Sequence, residues 1–187
     1  IGYTVTYWAA PYAERTFALS KPELGLLIGA PSALGGFAGV LCGGWLADRL
    51  HRRHPAGRLL VPLGALLLPV PLVVIAYSTP VTGLFLVSNM LVNMATASAL
   101  AACAAAALAL VRADMRGTAT AIFLLGPTLI GLAFGPFVAG YISQETGQLG
   151  LGVTASLIAV VPGVAALATA WRRYPQALTL VRAPAEQ

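Results

Sequence analysis

The chain has 187 residues, 58% of them hydrophobic and only 9% charged, with a formal net charge of +5 and a mean hydropathy of +0.83. A soluble domain of this length needs a polar surface that such a composition does not supply, so the sequence specifies a membrane protein. The apolar runs are continuous and rich in Ala and Leu instead of alternating, which excludes the strands of a membrane β-barrel.

A helix needs about 20 apolar residues to cross the hydrocarbon core, and six segments come close: 1–17, 24–47, 59–77, 81–110, 118–142 and 149–171. The first opens at Ile1 inside an apolar run, lacks a basic leader, and has Glu14 and Arg15 where a cleavage site would be sought. It reads as a helix without its beginning, not as a signal peptide, and the chain is expected to be a fragment of a longer protein. Before the second span, Ser20 and Glu23 have capping-box spacing, with Pro22 in the first turn. Gly35, Gly39 and Gly43 then recur every fourth residue, a stripe that lets another helix approach closely. Cys42 and Cys103 lie within spans and read as small packing residues.

Basic residues gather after the second, fourth and sixth spans: Arg49, Arg52, Arg53 and Arg58, then Arg112 and Arg116, then Arg172, Arg173 and Arg182. The other side has Arg15 and Lys21 before the second span and no basic residue in its two later turns. This asymmetry is the positive-inside pattern, so the basic loops and a tail over residues 172–187 are expected in the cytoplasm, with Lys21 and Glu145 facing outward. The basic charge sets topology and does not call for nucleic acid. His51 and His54 sit in the basic loop without a third ligand nearby, so they read as solvated and no metal or other cofactor is expected.

On the fifth span, Gly126-Pro127 and Gly135-Pro136 each remove an internal hydrogen bond, and these four residues are read as a helix hinge, with static kinks an equal alternative. Gly131 adds to the same small-residue surface. Spans one to three and four to six echo each other: an aromatic or polar helix, a Gly-rich helix, then a plainer one, in opposite topology. The expected fold is therefore all-α, a six-helix membrane bundle built as a three-plus-three inverted repeat, the unit of half a twelve-helix secondary transporter.

The stretch Gly44-Trp45-Leu46-Ala47-Asp48-Arg49-Leu50-His51-Arg52-Arg53 resembles the loop signature of the major facilitator superfamily, G-x-x-x-D-R-x-G-R-R, with His51 departing from the second glycine. Independently of that name, Asp48 ends the second helix, where it is placed to meet the positive N-terminus of a neighbouring helix in one conformation. Gly44, Asp48, Arg49, Arg52 and Arg53 are thus read as a conformational latch, with Asp114 as the acidic partner for the arginines. Positive-inside anchoring explains the arginines equally but not Asp48.

The segments 6–50 and 116–143 further resemble the seventh, eighth and eleventh helices of the Spinster-like branch of that superfamily. The resemblance implies that the six spans are helices seven to twelve, that an N-terminal six-helix half is missing, and that the whole protein works by alternating access on a small organic or amphiphilic, lipid-like solute, in a bacterial inner membrane. It also implies that the first and fourth spans line the cavity. There Tyr3 and Tyr7 share one face with Glu14, Thr4, Trp8 and Tyr12 share the next, and Asn89, Asn93 and Thr96 fall within about 60 degrees of one another. Tyr3, Tyr7, Trp8, Asn89, Asn93 and Thr96 are the candidate substrate contacts; packing glue is an even alternative for the Asn and Thr residues. Glu14 departs from the branch pattern and is read as an interfacial ion pair with Arg15 or Lys21.

No charged side chain falls in the middle of spans two to six, so an ion-coupling group belongs to the missing half or is absent. An intramembrane enzyme is disfavoured, because no His lies in any span and no GxSG occurs. A non-transporting scaffold or an inactive truncated half-carrier is the alternative to transport.

Overall fold

The computed structural model describes residues 1–182, and every span within them is helical, with no strand among the described residues. Helix α1 runs Gly2–Phe17. Helix α2 is an unbroken helical run, Lys21–His51. Helix α3 opens with a 3₁₀ turn at Gly57–Leu59 and continues as Leu60–Leu67 and Pro69–Ser78. Helix α4 is Thr82–Leu108 and α5 is Arg116–Thr146. Helix α6 comprises Leu149–Ala155, a 3₁₀ turn at Ser156–Ala159, and Val160–Arg182. Helices α2 to α6 are each long and apolar enough to cross a membrane, whereas α1 has 16 residues.

The capping spacing at Ser20 forms as read: Glu23 Oε2 accepts from the Ser20 N–H at 2.8 Å and from its hydroxyl at 2.7 Å. Prolines lie both inside regular helix and next to its irregular turns. Pro127 and Pro136 lie inside an uninterrupted α5. Departures from α-helix occur instead at the π turn Gly25–Gly29 just before Pro31, at Leu68 before Pro69, and at the 3₁₀ turn before Pro162. Each follows from the same cause, since a proline cannot donate to the preceding turn and its ring crowds that turn's carbonyl.

The expected glycine stripe packs as the repeat requires. Gly35, Gly39 and Gly43 are buried on α2 and lie against the Met90 carbonyl, the Met94 carbonyl and Ser98 of α4. Gly131, Gly135 and Gly140 of α5 receive the side chains of Tyr3, Thr4 and Trp8 of α1. The Gly-rich helix of each triplet therefore packs on the first helix of the other, a reciprocal exchange that defines the two-part bundle. A third close approach, Gly150 on the Tyr77 carbonyl at 2.8 Å from an added Cβ, seats α6 on α3.

At the end away from the Arg-rich loop, the core is aromatic. Tyr12 donates its hydroxyl to the Tyr77 carbonyl at 3.1 Å, and its ring lies 4.6 Å from that of Tyr77 and 5.4 Å from that of Phe85. At the basic end, α6 continues past the expected limit of 171. Tyr174 and Leu178 are buried against Ala56, Leu59 and Ala106, and Tyr174 donates to the Ala106 carbonyl at 3.1 Å. Part of the segment read as a tail is thus packed helix; residues 183–187 of that tail lie outside the described residues.

Candidate functional site

The polar stripe on α4 is the centre of a small hydrogen-bonded knot. Asn93 Nδ2 donates to Asn89 Oδ1 at 3.0 Å and to the Asn89 carbonyl at 2.9 Å, and reaches Ser32 Oγ at 3.5 Å. Thr6 of α1 donates to Asn93 Oδ1 at 3.1 Å. One amide therefore joins α1, α2 and α4. Thr96 spends its hydroxyl on the Val92 and Asn93 carbonyls and packs on Gly2. Asn89 is buried, while Thr6 is exposed. Thr6 and Ser32 escaped the sequence reading because neither stands out by periodicity; they become visible only as hydroxyls opposite an amide.

On α1, Tyr3 and Tyr7 are exposed and Trp8 is half-buried. The Trp8 indole N–H donates to the Pro136 carbonyl at 3.0 Å, fixing the ring against α5. Thr4, by contrast, is fully buried with its hydroxyl unpartnered, beside Gly135. Of the four α5 residues read as a hinge, Gly135 and Pro136 thus form the α1 contact. Gly126 and Pro127 make no comparable approach: a Cβ added at Gly126 meets nothing within 4 Å, and Pro127 is exposed.

At the basic end, Asp48 pairs with a residue that sequence spacing did not suggest. Its Oδ1 lies 3.0 Å from Arg58 Nη2, at the head of α3. The loop makes this possible by folding tightly: His54 N–H bonds the Leu50 carbonyl at 3.1 Å, Gly57 N–H bonds the His54 carbonyl at 2.8 Å, and Gly57 lies directly on Leu50. Asp48 therefore reaches the start of a neighbouring helix through a side chain carried there. Arg49 lies over the Trp45 ring, 5.5 Å from its centroid, and Arg52 and Arg53 are exposed. Gly44 faces open space. Asp114 pairs with Arg112, two residues away, at 3.3 Å, and not with the arginines of the first loop. These two ion pairs are the ones found among the described residues, so Glu14 forms none with Arg15 or Lys21.

The two loop histidines are also engaged. His51 Nδ1 is 3.0 Å from the Pro55 carbonyl, and His54 accepts from the Ala56 N–H while stacking on Trp171 at 5.0 Å. No group of three metal-ligating side chains occurs among the described residues.

The comparisons with known proteins agree with this architecture. Two crystal structures of a bacterial homologue of the human lysosomal transporter Spinster, both inward-facing, one unoccupied and one occupied, superpose with TM-scores of 0.69 and 0.71 at 22% identity. Each match covers 98% of this chain and 49% of the other. An MFS-type efflux pump of Mycolicibacterium smegmatis is 33% identical over 150 residues, 80% of this chain but 35% of the pump. The chain thus spans between about a third and a half of the proteins it matches. The model of the Major Facilitator Superfamily, a family of membrane transporters and not of enzymes, matches residues 1–187. This chain is an integral membrane protein that belongs to the major facilitator superfamily.

Proposed function

We propose that these six helices are the C-terminal half, helices seven to twelve, of a Spinster-like secondary active transporter that moves a small organic or amphiphilic solute by alternating access. The observation that carries this reading is the half-covered Thr6–Asn93 knot, flanked by exposed Tyr3 and Tyr7 on an otherwise apolar bundle. Polar side chains at membrane depth persist where they line a water-filled path or meet other protein. Helix α5 supports the same conclusion, since its apolar stretch is almost wholly exposed while that of α3 is substantially buried. It offers a long face to lipid and to a second six-helix half.

In this reading the basic loops and the end of α6 face the cytoplasm, and the membrane is a bacterial inner membrane. The efflux-pump relative supports outward movement of the solute. Any ion-coupling carboxylate belongs to the other half. The test is uptake into liposomes: the full-length protein shows saturable transport, and the 187-residue chain alone shows none because it supplies one wall of the path. Robust uptake by the chain alone would overturn the half-carrier reading in favour of a dimer enclosing its own path.

A further inference from the structure

At the end away from the Arg-rich loop, a cavity of about 480 Å³ opens between α1, the end of α3 and the turn from α5 into α6. This volume falls within the ligand-site range of about 300 to 1,000 Å³. Its wall is held by specific contacts: the Tyr12 hydroxyl donates to the Tyr77 carbonyl at 3.1 Å, and Gly150 lies close on that same carbonyl. Gly147 makes the turn in the left-handed region, at φ 70, where a side chain would be strained. Gln148 follows it directly and joins the wall.

Tyr12, Arg15 and Thr16 stand three and four residues apart, so they share one face of α1, and Ser78 ends α3. The Arg15 guanidinium, the Thr16 and Ser78 hydroxyls and the Gln148 side-chain amide take part in none of the hydrogen bonds or ion pairs found among the described residues. Gln148 meets Thr146 through its backbone alone. Thr154, by contrast, spends its hydroxyl on the Gly150 and Leu151 carbonyls. The cavity thus has four groups able to donate, one of them permanently charged, and no carboxylate in its lining. Glu14 is placed about 100 degrees around α1 from Arg15, and Glu145 stops two residues short of Gly147; neither lines the cavity or pairs with Arg15.

Such a donor set selects an oxyanion. The guanidinium fork accommodates two oxygens of a carboxylate or a phosphate alike. The remaining donors belong to α1, to α3 and to the α5–α6 turn. A tetrahedral phosphate has oxygens directed toward several elements at once, whereas a carboxylate held by the fork has its acceptors in one plane. Leu151, exposed beside the cavity, adds apolar surface suited to the chains of a phospholipid.

We propose that this cavity is a phosphate site at the membrane face, taking either the phosphate of an anionic phospholipid or free phosphate from the aqueous phase. It shares no residue with the Thr6–Asn93 knot and stands independently of the carrier reading.

The test is thermal unfolding of the full-length protein in detergent, with dioctanoyl phosphatidylglycerol, dioctanoylglycerol, inorganic phosphate or acetate added at equal ionic strength. The rise in midpoint with concentration gives an apparent affinity. Saturable stabilisation by phosphatidylglycerol and none by dioctanoylglycerol, which lacks the phosphate, is expected. Stabilisation by inorganic phosphate as well assigns the site to the free anion; stabilisation by the phospholipid alone assigns it to lipid. Arg15→Gln should weaken binding about tenfold, and Thr16→Val with Ser78→Ala several-fold. Arg116→Gln, at the opposite end, should leave it unchanged. No stabilisation by either phosphate compound, equal stabilisation by acetate, or unchanged binding in Arg15→Gln overturns the proposal. Transport that persists without phosphate-dependent stabilisation rejects the site while the carrier reading stands, and Arg15-dependent binding in a protein that transports nothing does the reverse.

Discussion

Asp48 at the end of α2 holds Arg58 at the head of α3 through a 3.0 Å contact, and the two partners differ in exposure, the carboxylate side chain at 63% and the guanidinium side chain at 21%. The Arg58 Nε is buried without a partner of its own, so the pair is the arginine's main compensation on leaving water. Solvent screening limits such a half-exposed pair to about 0.2 to 1 kcal/mol. If it forms in one access state only, its loss shifts the population by up to about fivefold.

Asp48→Asn in the full-length protein should therefore slow transport while expression and membrane insertion stay near normal. Arg58→Gln should do the same, and Asp114→Asn, whose partner is Arg112, should have a smaller effect. Labelling of a cysteine placed at Asn93 reads the shift in access directly. Unchanged transport and unchanged labelling in both Asp48→Asn and Arg58→Gln would leave the pair a static staple.

The α2–α4 seam predicts a sharp positional contrast. A Cβ at Gly39 collides with the Met94 carbonyl, whereas one at Gly36 meets nothing within 4 Å. Gly39→Ala should cost about 1 to 3 kcal/mol through overpacking, and Gly36→Ala should be neutral or slightly stabilising. Thermal unfolding of the purified protein in detergent distinguishes them; equal midpoints would mean that the helices do not meet at this stripe.

Ala18 ends α1 in the left-handed region, at φ 52 and ψ 33. An L side chain carries about 1 to 2 kcal/mol of steric strain there, part of which glycine removes. Ala18→Gly should raise the unfolding midpoint, by the equivalent of about 1 kcal/mol after the added freedom of the unfolded chain is subtracted. A lowered midpoint would show that α1 ends differently in the membrane.

Orientation is checked with single cysteines at Lys21 and His51 after replacement of Cys42 and Cys103, using an impermeant thiol reagent on intact cells. Lys21 is exposed and should label; the His51 position should label only after the membrane is opened. The reverse pattern would invert the positive-inside assignment.

Composition alone made the membrane class legible, and the four-residue spacing of Gly35, Gly39 and Gly43 made one helix seam legible, because steric exclusion is a local property of the residue. Partners across space were less so. Asp48 pointed to a helix start, yet its actual partner depends on how the loop from Arg52 to Ala56 folds back. Thr6 and Ser32 join Asn93 because three helices converge there, and Phe137 and Tyr141 meet Tyr7 and Trp8 because α1 and α5 lie side by side. The prolines show a different limit: Pro31 and Pro69 interrupt regular helix while Pro127 and Pro136 do not, and the local rule is identical for all four.

The stacking of Trp171 on His54 and the bond from Tyr174 to Ala106 stitch the end of α6 to the α2–α3 loop and to α4. The first four turns of α5, by contrast, run almost wholly uncovered, with open space beside Gly117 and Gly126. The rim at the basic end is thus seamed at α6 and open at the start of α5. A C-terminal tag fused upstream of Leu178 would unpick that seam, whereas a loop insertion near Met115 would hang from the loose edge and leave it intact.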